Sequence, residues 1–134
     1  MERAALIDRL RRELASREGV RLALLFGSRA RGDHRPDSDV DLAVLGDADQ
    51  LALGGDLSRA LGIEVNVVDL RDPSMVLLRE ILRDGVRVHE AEPGVFGAFL
   101  SRGLTQLETD GPAFRRAADA FIRQLARVAP AGGT

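Results

Sequence analysis

An α/β fold is what the sequence predicts, on three observations. Short runs of branched apolar residues alternate with longer stretches whose leucines recur every three or four positions. Glycine, proline and aspartate stand at the junctions between them. The chain has 134 residues, 45% of them hydrophobic and 30% charged, a size and balance that let one domain bury a core.

The elements follow in order. Residues 2–17 read as a helix, with Leu6, Ile7, Leu10 and Leu14 on one stripe and Gly19 as its C-terminal stop. The run VRLALLF, 20–26, reads as a buried strand, broken by Gly27-Ser28 and followed by a short helical turn. DVDLAVL, 39–45, is the second strand. A helix covers about 48–61 and ends near Gly62. IEVNVVDL, 63–70, is the third strand. Asp72-Pro73 reads as the N-cap and first position of a helix over 74–83, closed by Gly85. VRVHE, 86–90, is a short last strand. Pro93-Gly94 marks a boundary between a core, 1–92, and a C-terminal helical extension, 93–134, of the same compact unit. The extension reads as helices at about 95–108 and 112–128, parted by Asp110-Gly111-Pro112, then a frayed tail.

Composition removes several function classes. The net charge of −2 gives no global basic field, so direct DNA binding is not expected. There is no cysteine, which excludes disulfides, thiolate metal sites and thiol nucleophiles. All 19 basic residues are arginine. Without lysine there is no Walker A loop and no Schiff-base chemistry. No G-x-S-x-G elbow is present. No apolar run reaches membrane-spanning length, and the charged N-terminus lacks a signal-peptide core, so the expected location is cytoplasmic.

The chemistry lies at the end of the first strand and on the second. Side chains alternate along a strand, so Asp39 and Asp41 share a face, with Cα atoms about 6.5–7 Å apart. Val40, Leu42 and Val44 take the other face and anchor them. Two carboxylates that close repel unless a cation lies between them. Magnesium suits the pair, because it accepts a few carboxylates together with phosphate oxygens. Gly27 allows a close backbone approach, Ser28 offers a hydroxyl, and Arg29 and Arg31 on the turn can meet phosphate. The plain alternative pairs Asp39 and Asp41 with Arg29 or Arg31 as strand-end salt bridges. An EF-hand start at Asp37, Asp39 and Asp41 fails, because Leu42 and Ala48 stand where Gly and Glu are needed.

Gly27-Ser28, ten intervening residues and Asp39-Val40-Asp41 resemble the G-S-x10-D-x-D signature of DNA polymerase β-like nucleotidyltransferases. The wider stretch FGSRARG…SDVDLAV is similar to the minimal nucleotidyltransferases, the MNT group, which are often paired with HEPN-domain proteins. The resemblance covers about residues 2–90. It implies the polymerase β-like fold: a mixed sheet over 20–90 with helices packed on one side, plus the C-terminal helices. It implies Asp39 and Asp41 as metal ligands for two magnesium ions, Gly27 and Ser28 as triphosphate binders, and ATP as substrate. It also implies a third carboxylate on the next strand, where this sequence has Asn66. Asn66 keeps an oxygen and loses the charge. Glu64 shares its face and is longer, so it can substitute, whereas Asp69 points to the opposite face.

Three functions fit. The first is adenylyl transfer from ATP to a hydroxyl, a tyrosine on a HEPN toxin being the acceptor that the resemblance suggests. The second is an antitoxin that masks its partner, catalysis having decayed through Asn66. The third is a small-molecule transferase of the aminoglycoside type, for which the chain is short unless it forms a homo-oligomer. Val95, Phe96, Phe99 and Leu100, with Phe114, Phe121, Ile122 and Leu125, give the extension apolar faces for the core, a second copy or a toxin.

Overall fold

A computed structural model describes residues 1–107 and, beyond them, only positions 116 and 123. The second C-terminal helix expected at 112–128 and the tail lie outside the described residues. The order of elements is α1 (Arg3–Ala15), β1 (Leu22–Phe26), α2 (Ser28–Arg31), β2 (Val40–Leu45), α3 (Gln50–Leu61), β3 (Val65–Asp69), α4 (Met75–Asp84), β4 (Val86–Glu90) and α5 (Val95–Leu107). The strands form one sheet in the order β3-β2-β1-β4. β1 runs antiparallel to both β2 and β4, while β2 and β3 are parallel, joined by α3 as a crossover. The sheet is therefore mixed.

Helices cover both faces of this sheet, not one as expected. The period of two along β1 explains it. Ala23 and Leu25 join Leu6, Leu10 and Leu14 of α1 and Leu53 and Leu57 of α3 in one apolar cluster. Leu22, Leu24 and Phe26 join Leu78, Ile81 and Leu82 of α4 and Phe96, Phe99 and Leu100 of α5 in another. All five residues of β1 are buried, which leaves no face of that strand for water. Truncating one of the fully buried leucines, such as Leu10, costs about 2–5 kcal/mol in such a setting.

Local chemistry sets the boundaries. Asp49 caps α3 through Ala52 N–H at 3.1 Å, and the helix ends at Gly62. Gly54 lets α3 approach β3: a Cβ there would lie 3.3 Å from the carbonyl oxygen of Val65. Ser58 fastens the same contact, donating to the Gly54 carbonyl at 2.7 Å and accepting from Val65 N–H at 2.9 Å. Two sequence-based boundaries shift. The cap of α4 is Ser74, which accepts from Leu77 N–H at 3.1 Å, and not Asp72. Pro73 consequently precedes the cap instead of opening the helix. α1 ends at Ala15, so Gly19 is not its stop; Gly19 belongs to a later turn whose carbonyl accepts from Ala48 N–H at 3.0 Å.

α5 is joined to the sheet through a buried ionic link. Arg87 and Glu90 of β4 pair at 3.0 Å with side chains only 11% and 3% exposed. The second oxygen of Glu90 accepts from the N–H of Phe96 in the first turn of α5, at 2.9 Å. Arg87 also lies over the Phe96 ring, 5.6 Å from its centroid.

Candidate active site

The sheet register brings three polar side chains to one end of the face that carries α4 and α5. Asp41 sits opposite Phe26, the last residue of β1, and opposite Asn66 on β3. Asp39 lies one residue ahead of β2, two positions from Asp41 and hence on its face. Val40, Leu42 and Val44 point the other way into the first apolar cluster, so the carboxylates stand on a rigid strand.

Gly27 makes the space. Its φ of 78° lies in the left-handed region, and a Cβ there would sit 2.5 Å from Oδ2 of Asp41. Any other residue would both strain the turn and displace the carboxylate. α2 begins directly after it. The carbonyl of Gly27 accepts from Ala30 and Arg31, and Gly27, at the N-cap, has no side chain to offer the first N–H groups of α2. The Ser28 side chain is half-buried beside that turn.

Asn66 turns its amide nitrogen toward both carboxylates. Nδ2 donates to Oδ2 of Asp39 at 3.2 Å, and Asn66 pairs with Asp41 across the strands. Partial burial pushes the Asp41 carboxyl above the usual carboxylate range; the Asn66 bond opposes this, Asp39 and Glu80 reinforce it, and Arg31 opposes it. The site therefore holds more negative charge than its own groups offset. The oxygen donors and the excess charge suit a hard divalent cation.

The remaining candidates fall in different places. Arg29 is 1% exposed, and its guanidinium is committed to backbone carbonyls: Ser38 at 2.9 Å, Met1 at 3.4 Å and Pro36 at 3.4 Å. That geometry replaces the expected phosphate contact with a structural one. Arg29 holds the loop leading into Asp39. It also replaces the plain alternative for this residue, since no carboxylate pairs with it among the described residues. Arg31 is exposed; it donates to Asp33 at 3.1 Å and to Asp84 at 3.2 Å, tying α2 to the end of α4. Neither aspartate of the pair at 39 and 41 is its salt-bridge partner among the described residues. Glu64 is exposed, one residue ahead of β3. Its carbonyl accepts from Val40 N–H at 2.8 Å, while its side chain makes no hydrogen bond among the described residues. Glu80 went unremarked in the sequence. It lies among the leucines of an ordinary amphipathic stripe, and only the docking of α4 on the sheet brings its charge near Asp41.

Residues 8–93 match the family described as polymerase beta, nucleotidyltransferase, and the chain belongs to that family. The resemblance carried by Gly27 through Asp41 therefore holds. Among individual proteins, the chain is similar to protein adenylyltransferase MntA of Shewanella oneidensis (strain ATCC 700550 / JCM 31522 / CIP 106686 / LMG 19005 / NCIMB 14063 / MR-1). The two are 39% identical over 72 residues, 49% of this chain and 51% of that protein, so the match spans about half the length of the relative. A chain in the crystal structure of a toxin-antitoxin with AMP-PNP superposes with a TM-score of 0.64 at 24% identity, covering 91% of this chain and 99% of the other. A chain in the structure of a tri-AMPylated Shewanella oneidensis HEPN toxin in complex with MNT antitoxin gives a TM-score of 0.57 at 22% identity, covering 90% and 95%. At these identities the likeness is one of fold. No helix among the described residues is long and apolar enough to cross a membrane.

Proposed function

We propose that this chain transfers AMP from ATP to a hydroxyl on a partner protein, a tyrosine of a HEPN-domain toxin, and so acts as an antitoxin. The observation that carries the reading is the pairing of Asp39 and Asp41 on one strand face, with Asp41 packed against the turn at Gly27. The relatives give it direction: one is a protein adenylyltransferase, and another solved complex holds an AMPylated HEPN toxin.

In this reading Asp39 and Asp41 hold magnesium, which supplies positive charge to polarise the α-phosphate. Gly27 lets the triphosphate approach the backbone, and Ser28 and Arg31 contact its oxygens. The acceptor hydroxyl gives up its proton to solvent as its oxygen forms a bond to the α-phosphorus. The bond from that phosphorus to the bridging oxygen breaks, and pyrophosphate leaves. Asn66 donates to Asp39 from the neighbouring strand. Were a cation held by Asp39 and Asp41, the side-chain oxygen of Asn66 would be the atom of that residue that could serve it.

The test uses α-labelled ATP, magnesium and the purified HEPN partner. Asp39→Ala combined with Asp41→Ala is expected to lower label transfer by at least about a hundredfold and to abolish magnesium-dependent nucleotide binding, with the circular dichroism spectrum unchanged. Unchanged transfer in that variant would overturn the reading.

A second reading is favoured by Asn66, which puts a neutral amide where the family places a third carboxylate. In it the chain neutralises its partner by binding alone. The same double variant separates the two, because a masking antitoxin would still silence the toxin without any label transfer.

A further inference from the structure

Asp39 and Asp41 are held by different means. Asp41 is a ladder residue of β2, in register with Phe26 on one side and Asn66 on the other. Asp39 precedes the strand, so the ladder does not fix it. Its backbone is pinned at its two neighbours instead. Val40 N–H donates to the Glu64 carbonyl at 2.8 Å. The Ser38 carbonyl accepts from Nε of Arg29 at 2.9 Å. Just ahead, the chain closes a turn: Ser38 N–H donates to the Arg35 carbonyl at 3.0 Å, and Arg35 N–H donates to the Ser38 hydroxyl at 2.9 Å. The Pro36 carbonyl within that turn also accepts from Arg29, at 3.4 Å. One planar guanidinium thus spans two carbonyls of the turn that delivers Asp39. Arg29 is the second residue of α2, and the Gly27 turn that opens α2 packs on Asp41. This short helix therefore meets Asp41 at its entry and reaches Asp39 through Arg29. The guanidinium is buried with no carboxylate partner among the described residues. An apolar side chain would fill the same volume without the cost of desolvating a charge, so filling space is not what Arg29 contributes.

We propose that Arg29 is a positioning residue for Asp39: by fixing the 35–38 turn, its guanidinium sets where the Asp39 carboxylate stands relative to Asp41. The consequence for cation binding rests on the nucleotidyltransferase reading above. Lysine is no substitute, because a point charge on a flexible stem cannot span the two carbonyls.

The experiment reads Asp39 through its neighbour. Asn66 is the only asparagine in the sequence, and its Nδ2 donates to Oδ2 of Asp39 at 3.2 Å. The full chain carrying ¹⁵N in the asparagine side chain therefore gives one pair of side-chain amide signals, recorded without metal or nucleotide. In Arg29→Lys this pair is expected to move toward its position in Asp39→Ala. Mn²⁺ binding in the presence of AMP-PNP, followed through the electron paramagnetic resonance of free Mn²⁺, is expected to weaken about tenfold in the same variant. If Arg29→Lys does not fold by circular dichroism, the neutral Arg29→Gln takes its place with the same expectations. Failure of both to fold overturns the proposal, because the guanidinium would then hold the fold and not the carboxylate. An amide pair at the wild-type position in a folded variant overturns it too, whatever the affinity. So does a displaced pair with Mn²⁺ affinity within twofold of the wild type, since Asp39 would then move without consequence. If the wild type itself binds no Mn²⁺ with AMP-PNP, the nucleotidyltransferase reading falls, and the amide pair alone decides whether Arg29 places Asp39.

Discussion

Asp41 stores an imbalance that can be measured without any substrate. Its folded-state carboxyl lies above its ordinary value, first through burial and then through Asp39 and Glu80, against the pull of Asn66 and Arg31. Between the unfolded value and the raised folded value, the native state binds the proton more tightly. The contribution of this group to stability therefore declines as pH rises through that window, and the protonated form is favoured below it. Asp41→Asn is expected to raise the melting temperature of the nucleotide-free protein at pH 7 by roughly 1–3 °C, a figure kept small because the side chain is half exposed. It should also flatten the decline between acid and neutral pH. Thermal melts from pH 4 to 7 check both; a variant less stable than wild type at pH 7 would count against the charge argument. At this scale the shared face of Asp39 and Asp41 and the break at Gly27 were legible from spacing, since strand alternation and a glycine turn are local. Arg29 was not. A run reading Gly-Ser-Arg-Ala-Arg gives no sign that one guanidinium turns inward to three carbonyls while the other stays in water.

The elements were legible wherever apolar periodicity was long, and their ends were less so. The strands at 22–26 and 40–45 and the helix at 50–61 fall inside the runs read from the sequence. The start of α4 moved because Ser74 and Asp72 are both good caps; tertiary packing, invisible locally, picked Ser74. The side on which each helix packs was likewise out of reach, because VRLALLF is apolar on both faces. The link from β4 to α5 is a third feature that no pattern announces, and it has a measurable consequence. Glu90→Ala would leave Arg87 buried without its carboxylate and free the N–H of Phe96. The expected cost is about 3 kcal/mol in urea denaturation, with faster hydrogen exchange in the first turn of α5. Glu90→Gln keeps an acceptor for Phe96 and should cost clearly less. Equal effects from the two substitutions would show that the charge of Glu90 is immaterial.

Taken as a whole, the molecule is a sheet with two separate apolar layers. As described, both layers draw on residues from Leu6 to Leu100. α5 contributes Val95, Phe96, Phe99 and Leu100 to the second, so these side chains are not available as a free interface. Removing residues 111–134 tests what that segment does: a truncated chain that keeps its circular dichroism spectrum and loses self-association or partner binding marks it as an interface, and one that unfolds marks it as core. The two layers also differ in what they face. One is walled by α1 and α3 and carries no side chain of the site. The other is walled by α4 and α5 and shares its sheet face with Asp39, Asp41 and Asn66. Mutational freedom is divided accordingly. Substitutions on the face of α4 leave the opposite layer, walled by α1 and α3, to keep the chain folded.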